Sequence, residues 1–202
     1  MFKFLKNQSQ KNSDIHPAIS KVIYSKTQLE DGILKAAKWV DKTYQSSQDL
    51  IIVGLLKGSI PFLAQLIKDV KTDHRIDFLT ASSYAGGLHS TGSVKIIMDL
   101  ASDIQNKDVL IVEDIIDSGI TLAKITELLR LRNPKSIKIL TLLDKPVNRK
   151  NDLKADYSCF TVGDEFLVGF GLDYKEKYRN LPYIGVLNTD PVYLENNNQK
   201  AQ

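Results

Sequence analysis

From position 109 to 121 the chain reads Val-Leu-Ile-Val-Glu-Asp-Ile-Ile-Asp-Ser-Gly-Ile-Thr. An apolar run stops at two adjacent carboxylates, Glu113 and Asp114. A short loop with Asp117, Ser118 and Gly119 follows, and helical spacing begins at Ile120 and Thr121. In an open α/β sheet, ligands bind beyond the carboxyl ends of the strands. A helix start offers unpaired N–H groups and the positive end of a dipole, and Gly119 lets the backbone approach an anion closely, so a phosphate fits there. Ionised carboxylates only accept hydrogen bonds, so Glu113 and Asp114 suit a pair of sugar hydroxyls with a divalent cation nearby. Together these residues ask for a phosphorylated sugar. The plainer reading is a helix capped by Asp117 or Ser118, with solvated acids at a strand end. For any single residue both readings stand; for the whole segment the ligand reading is the stronger.

Other nucleotide-binding patterns are missing. There is no G-x-x-x-x-G-K-[ST], and Gly169-Phe-Gly171 fails the dinucleotide fingerprint because Tyr174 stands where its last glycine belongs. The three histidines, His16, His74 and His89, lack metal-ligand spacing and read as surface or loop residues. In 202 residues, 27 Lys+Arg face 24 Asp+Glu, a net charge of +3. That surplus is too small for the electrostatic footprint of an obligate nucleic-acid binder. The lone cysteine, Cys159, leaves no intrachain disulfide and no cysteine-based zinc site, which fits a reducing, cytoplasmic compartment. The N-terminal residues lack the apolar core of a secretory signal and no apolar stretch is long enough to span a bilayer, so no membrane partner is expected.

The elements that must position these residues follow from hydrophobic period. Leu50–Leu55 is apolar at successive positions, as in a strand buried on both faces. Further strands are expected at 21–25, 76–82, 94–98, 109–113, 137–143, 157–160, 166–169 and 183–186. Leu29, Ile33, Ala36, Ala37, Val40 and Tyr44 form a helical stripe within 26–45. A second helix begins near Pro61, where a missing N–H is harmless, and a third spans 120–131, closed by Pro134. Apolar strands separated by helices predict an α/β fold with a parallel sheet covered on both sides. Residues 1–14 and 195–202 are polar and aperiodic and are expected to be flexible ends of a single domain over 15–194.

The segment VLIVEDIIDSGITL resembles the phosphoribosyl-pyrophosphate signature of the type I phosphoribosyltransferases, and within them the hypoxanthine-guanine branch. Four further segments occur in that family's order: Gly54-Leu-Leu-Lys-Gly-Ser59, Ser82-Ser-Tyr84, Leu142-Leu-Asp-Lys-Pro146, and Glu165 to Tyr174 with Lys177-Tyr-Arg-Asn180 beyond. The likeness covers roughly residues 19 to 193. It implies the type I phosphoribosyltransferase fold, a parallel-sheet core flanked by helices with a small hood built from both ends of the chain.

The resemblance also implies roles. Glu113 and Asp114 would hold the ribose, and the loop of Asp117, Ser118, Gly119, Ile120 and Thr121 the 5′-phosphate, with Asp117 also the catalytic group near N7 of the base. Lys57, Gly58 and Arg179 would bind pyrophosphate, with a cis peptide between Leu56 and Lys57. Ile115 and Phe166 would sandwich a purine whose 6-oxo group meets Lys145 and whose edge meets the Leu167 carbonyl; Asp173 would help frame it. By composition alone, Phe166 would instead be a core residue. Ser83 and Tyr84 would open a lid, and Glu113, Asp114 and Asp173 would hold Mg2+. The implied substrates are phosphoribosyl pyrophosphate and hypoxanthine or guanine, in a homodimer or homotetramer. Ser118 stands where threonine is commoner in the family and Leu167 where valine is, while Val147-Asn148 and the run Ser158–Gly163 also depart from its pattern. A xanthine-preferring enzyme is therefore one alternative. A nucleotide-sensing, nucleic-acid-binding regulator on the same fold is another, disfavoured by the balanced charge and the complete set of base-handling residues.

Overall fold

The computed structural model describes residues 15–83 and 94–188. The expected ends at 1–14 and 195–202, and the lid residue Tyr84, lie outside the described residues. In chain order the elements are β1 (Ile19–Tyr24), α1 (Lys26–Thr43), β2 (Leu50–Leu55), α2 (Ile60–Asp69), β3 (His74–Ser83), β4 (Val94–Met98), β5 (Asp108–Ile116), α3 (Ile120–Arg130), β6 (Ser136–Asp144), a 3-10 turn (Pro146–Asn148), β7 (Tyr157–Thr161), β8 (Leu167–Val168) and β9 (Ile184–Leu187). No helix among the described residues is long and apolar enough to cross a membrane.

The main sheet has the order β4-β3-β2-β5-β6-β7. Its pairings from β3 through β7 are parallel. The expected parallel core is present, and the edge strand β4 is added to it antiparallel to β3. The reason is chain length. Only residues 84–93 link the two strands, whereas a parallel crossover needs a dozen or more. As an edge strand β4 is also wet, with Ile97 63% exposed.

Helix α1 starts where Ser25 and Gln28 form a reciprocal capping box. Its stripe from Leu29 to Tyr44 packs with Phe62, Leu63 and Leu66 of α2 against one sheet face, over Leu50, Ile52, Leu110, Val112, Leu140 and Leu142. The opposite face, with Ile51, Val53, Val109, Ile111 and Ile139, is covered by Leu122, Ile125 and Leu129 of α3. Thus β2-α2-β3 and β5-α3-β6 wind away from each other on opposite faces. Strands β2 and β5 are neighbours at the point where the winding reverses, and a crevice opens there beyond their carboxyl ends.

A second, antiparallel sheet, β1-β9-β8, is built from both ends of the chain. It has a small core of its own from Ala18, Ile19, Val168, Leu181, Tyr183 and Leu187. This is the hood, and it carries Phe166, Leu167 and the turn from Asp173 to Arg179 toward the crevice.

Candidate active site

Strand β5 runs further than the apolar pattern foretold. Its ladder with β6 continues through Ile115↔Leu143 and Ile116↔Asp144, so Glu113 and Asp114 lie within the strand and not at its end. Neighbouring strand positions face opposite sides, and the pair is split accordingly. Asp114 lines a cavity of about 240 Å3 with Ile115, Asp117, Lys145, Glu165, Phe166, Leu167, Leu172 and Asp173. Glu113 does not line it, and its Oε2 is buried without a hydrogen-bond partner. Among the described residues no three acidic, histidine or cysteine side chains are gathered as a metal cage. Glu113, Asp114 and Asp173 therefore do not converge as one ligand set, whereas Asp114 and Asp173 share a wall.

Burial shapes the charge of these acids. The Asp114 carboxyl is pushed up to about 6, chiefly by desolvation and further by Asp173, against the pull of the Ile115 N–H and Arg179. Glu113 is pushed well above the usual carboxylate range by burial and then by Asp114. Two such neighbours ask for a cation or for donor hydroxyls, either of which would favour the ionised forms.

The loop between β2 and α2 seals one end of the site. The Leu56–Lys57 peptide is cis, as expected. Gly58 is obligatory here, because a Cβ would fall 1.6 Å from Asp114 Oδ2. From the other side Gly171, at φ +104°, presses so close that its own Cβ would lie 1.9 Å from the Gly58 carbonyl oxygen. Lys57 Nζ meets Glu176 Oε2 at 3.0 Å. Arg179 donates to the Gly171 carbonyl at 2.8 Å, pairs with Asp173 Oδ1 at 2.8 Å, and also reaches Glu176 Oε2 at 3.4 Å. The Glu176 N–H in turn donates to Asp173 Oδ2 at 2.8 Å. Lys57 and Arg179 are thus brought together, with one carboxylate between them that holds its pKa low. Nothing in the sequence pattern singled out Glu176.

After β5, Asp117 is exposed and Ser118 half-buried. Neither caps α3. The N-cap is Gly119, at φ +75° with no side-chain hydrogen bond, and Ser118 Oγ only accepts from the Ile120 N–H at 3.4 Å. Of the two caps expected, Ser118 alone is seen to reach a helix N–H, by this one long contact. The first turn of α3, with Ile120 and Thr121, keeps donors for an anion.

The other lining of the cavity comes from β6 and the hood. Lys145, only 8% exposed, sends its ammonium to the carbonyls of Asp164 and Glu165, both at 3.1 Å, and to Asp164 Oδ1 at 3.3 Å. Phe166 is 47% exposed, which corrects the compositional reading of a core ring. The ring stands at right angles to that of Tyr174, with centroids 5.7 Å apart. Leu167 is buried in β8, a strand of two residues instead of the four expected. Ser83 ends β3. Glu165 and Leu172 line the cavity although sequence reasoning assigned them nothing; each is adjacent to an assigned residue, which was the one available signal. His74 turns its ring to the Thr72 carbonyl at 2.7 Å, and the His16 ring accepts from the Ala18 N–H at 3.1 Å. Both are local structural contacts.

Comparison with known proteins gives a consistent result. The phosphoribosyl transferase domain profile matches residues 20–175. The chain is 51% identical over 166 residues to hypoxanthine phosphoribosyltransferase of Buchnera aphidicola, covering 82% of this chain and 94% of that one. It is 51% identical over 169 residues to hypoxanthine-guanine phosphoribosyltransferase of Bacillus subtilis, covering 84% and 93%. A crystal structure of a hypoxanthine phosphoribosyltransferase from Staphylococcus aureus is similar with a TM-score of 0.83 and 49% identity, over 89% of this chain and 97% of that one.

Proposed function

The chain belongs to the phosphoribosyl transferase family and is a purine-salvage transferase, and on that premise we propose that it moves the 5-phosphoribosyl group of phosphoribosyl pyrophosphate to N9 of hypoxanthine or guanine. The products are IMP or GMP and pyrophosphate. The observation that carries this reading is the single cavity in which Asp114, Asp117, Lys145, Phe166 and Asp173 meet. It offers carboxylates on one side and a cation with an exposed ring on the other, as a sugar joined to an oxopurine requires.

In the reaction the C1′–O bond to pyrophosphate breaks and the C1′–N9 bond forms. Positive charge grows on the sugar and negative charge on the leaving diphosphate. Lys57 and Arg179 meet that diphosphate, with the forked donors of the guanidinium matched to phosphate oxygens. Asp117 sits by N7 of the base and handles its proton. Lys145 donates to the 6-oxo group, Phe166 and Ile115 hold the ring between them, the Leu167 carbonyl meets its edge, and Asp173 frames it. Asp114 accepts from the ribose hydroxyls, and residues 117–121 hold the 5′-phosphate. Ser83 and Tyr84 begin the lid that excludes water.

The acids also fit Mg2+. Asp114 and Asp173 present hard oxygens in one cavity, and Mg2+ is held by one or two carboxylates together with substrate phosphates. When bound, it supplies neutralising charge to the diphosphate.

Ile60, Ile76 and Phe78, with exposures of 49, 41 and 37%, surround an apolar groove with Leu56 and Leu63. That face supports a homodimer or homotetramer, since exposed apolar patches of this kind mark contact surfaces. The lone Cys159 supports a cytoplasmic location. The deciding experiment is steady-state turnover with phosphoribosyl pyrophosphate, Mg2+ and each of hypoxanthine, guanine and xanthine. Turnover with the first two is expected; none with any base would refute the proposal, and a preference for xanthine would replace its base assignment.

A further inference from the structure

Arg149 follows the 3-10 turn after β6, outside every segment assigned above, and its side chain is only 13% exposed. Its guanidinium makes four hydrogen bonds. Nε donates to the Asp117 carbonyl at 3.0 Å and Nη2 to the Ile116 carbonyl at 3.1 Å. Nη1 donates to the Leu153 carbonyl, and Nη2 also pairs with the Asp144 carboxylate. The same segment supplies two backbone donors. Lys145 N–H donates to the Ile116 carbonyl and Lys150 N–H to the Ser118 carbonyl, each at 2.9 Å.

Three successive carbonyls, those of Ile116, Asp117 and Ser118, are therefore held on one side by residues 145–150. In a trans peptide the C=O and N–H point in opposite directions. Fixing these three carbonyls turns the N–H groups of Asp117, Ser118 and Gly119 to the other side, as a run of donors suited to an anion. Gly119 completes the fit, because a Cβ there would fall 2.9 Å from Arg149 Cδ and 2.8 Å from Asn151 Oδ1.

We propose that Arg149 is a positioning residue for the 5′-phosphate loop, clamping the carbonyls of Ile116 and Asp117 so that the loop's N–H groups face the phosphate. This rests on the reading of residues 117–121 as the phosphate site. Lysine cannot replace it, having three donors on a single nitrogen where the fork spans four acceptors. The clamp also ties phosphate to base, because the Ile116 carbonyl is shared between Arg149 and the backbone of Lys145.

The test uses the intact protein as wild type, Arg149→Lys and Asp144→Asn, which loosens the guanidinium without removing it. Dissociation constants are measured for IMP and for inosine, which lacks the phosphate. Loss of charge-assisted positioning weakens IMP binding by about 10- to 100-fold in Arg149→Lys. Inosine binding stays within about twofold and Asp144→Asn shows the same selective loss to a smaller degree. Equal losses for both ligands, as a merely structural role gives, or no loss for either, overturn the proposal. If wild type fails to prefer IMP over inosine, the phosphate-site reading fails and takes the proposal with it, a result separable from the others because it needs no variant.

Discussion

Gly58→Ala tests the packing that brings the pyrophosphate loop onto β5. The added Cβ would lie 1.6 Å from Asp114 Oδ2 where ordinary contact begins at 3.4 Å, a shortfall of 3.4 − 1.6 = 1.8 Å. The carboxylate has little room to retreat, since Oδ1 accepts from the Ile115 N–H at 2.8 Å. Nor can the loop back away, because Gly171 already abuts the Gly58 carbonyl. Overpacking of this kind costs about 1–3 kcal/mol, which lowers Tm by about 2–12 °C in a chain of this size. Displacing a substrate-holding carboxylate by more than an ångström lowers kcat/KM for phosphoribosyl pyrophosphate by about 100-fold. Thermal unfolding and steady-state kinetics read the two effects. On an Asp114→Ala background the same glycine substitution should leave Tm nearly unchanged, since the clashing atoms are gone. The reasoning is refuted if Gly58→Ala alone keeps Tm within about 1 °C and kcat/KM within about twofold.

Other expectations follow from the same geometry. Asp117→Asn should lower kcat by about 100- to 10,000-fold while barely changing phosphoribosyl pyrophosphate affinity; small, equal effects on both would sink its proton-handling role. Asp114 titrates at about 6 when folded against 3.8 as a free group, so its contribution to stability is full below pH 3.8 and is lost as pH rises through 6. Asp114→Asn should therefore stabilise the metal-free protein at pH 8 by on the order of 3 kcal/mol and make no difference near pH 3.5; urea unfolding in EDTA at both pH values checks this. Glu176→Gln removes the carboxylate that bridges Lys57 and Arg179. It should tighten inhibition by pyrophosphate about two- to fivefold with Tm almost unchanged, and weaker inhibition would show that Glu176 aids binding instead of competing with it. Ile60→Glu, on the apolar face, should shift sedimentation toward a smaller species, and an unchanged mass would exclude that face as the contact.

The apolar run before Glu113 could hardly be anything but a buried strand, and the stripe from Leu29 to Tyr44 could hardly be anything but a core-facing helix, because period alone reports which faces are dry. The acidic loop at 113–121 was equally legible, since its chemistry lies in consecutive residues. Other features were not. The reversed edge strand β4 depends on how far ten residues can carry the chain, and the exposure of Phe166 depends on where the hood stops. Arg149 and Glu176 are surface-type residues by composition. Their partners at Ile116, Asp117 and Lys57 are distant in sequence, and those at Ile116 and Asp117 are backbone atoms, which carry no sequence signal.

The residue order by itself thus determined the alternation of strands and helices, the acidic segment from Glu113 to Thr121 and the family likeness, all of which rest on local period and contiguous motifs. Only the tertiary structure decided which carboxylates share a cavity. Asp114 and Asp173 meet while Glu113 turns aside, because strand pleating sends neighbours to opposite faces and the hood brings residue 173 back over β5. Only the tertiary structure, too, showed that the loop after β5 is held from behind, since the Arg149 guanidinium reaches the carbonyls of Ile116 and Asp117 only once the loops that carry them are packed together.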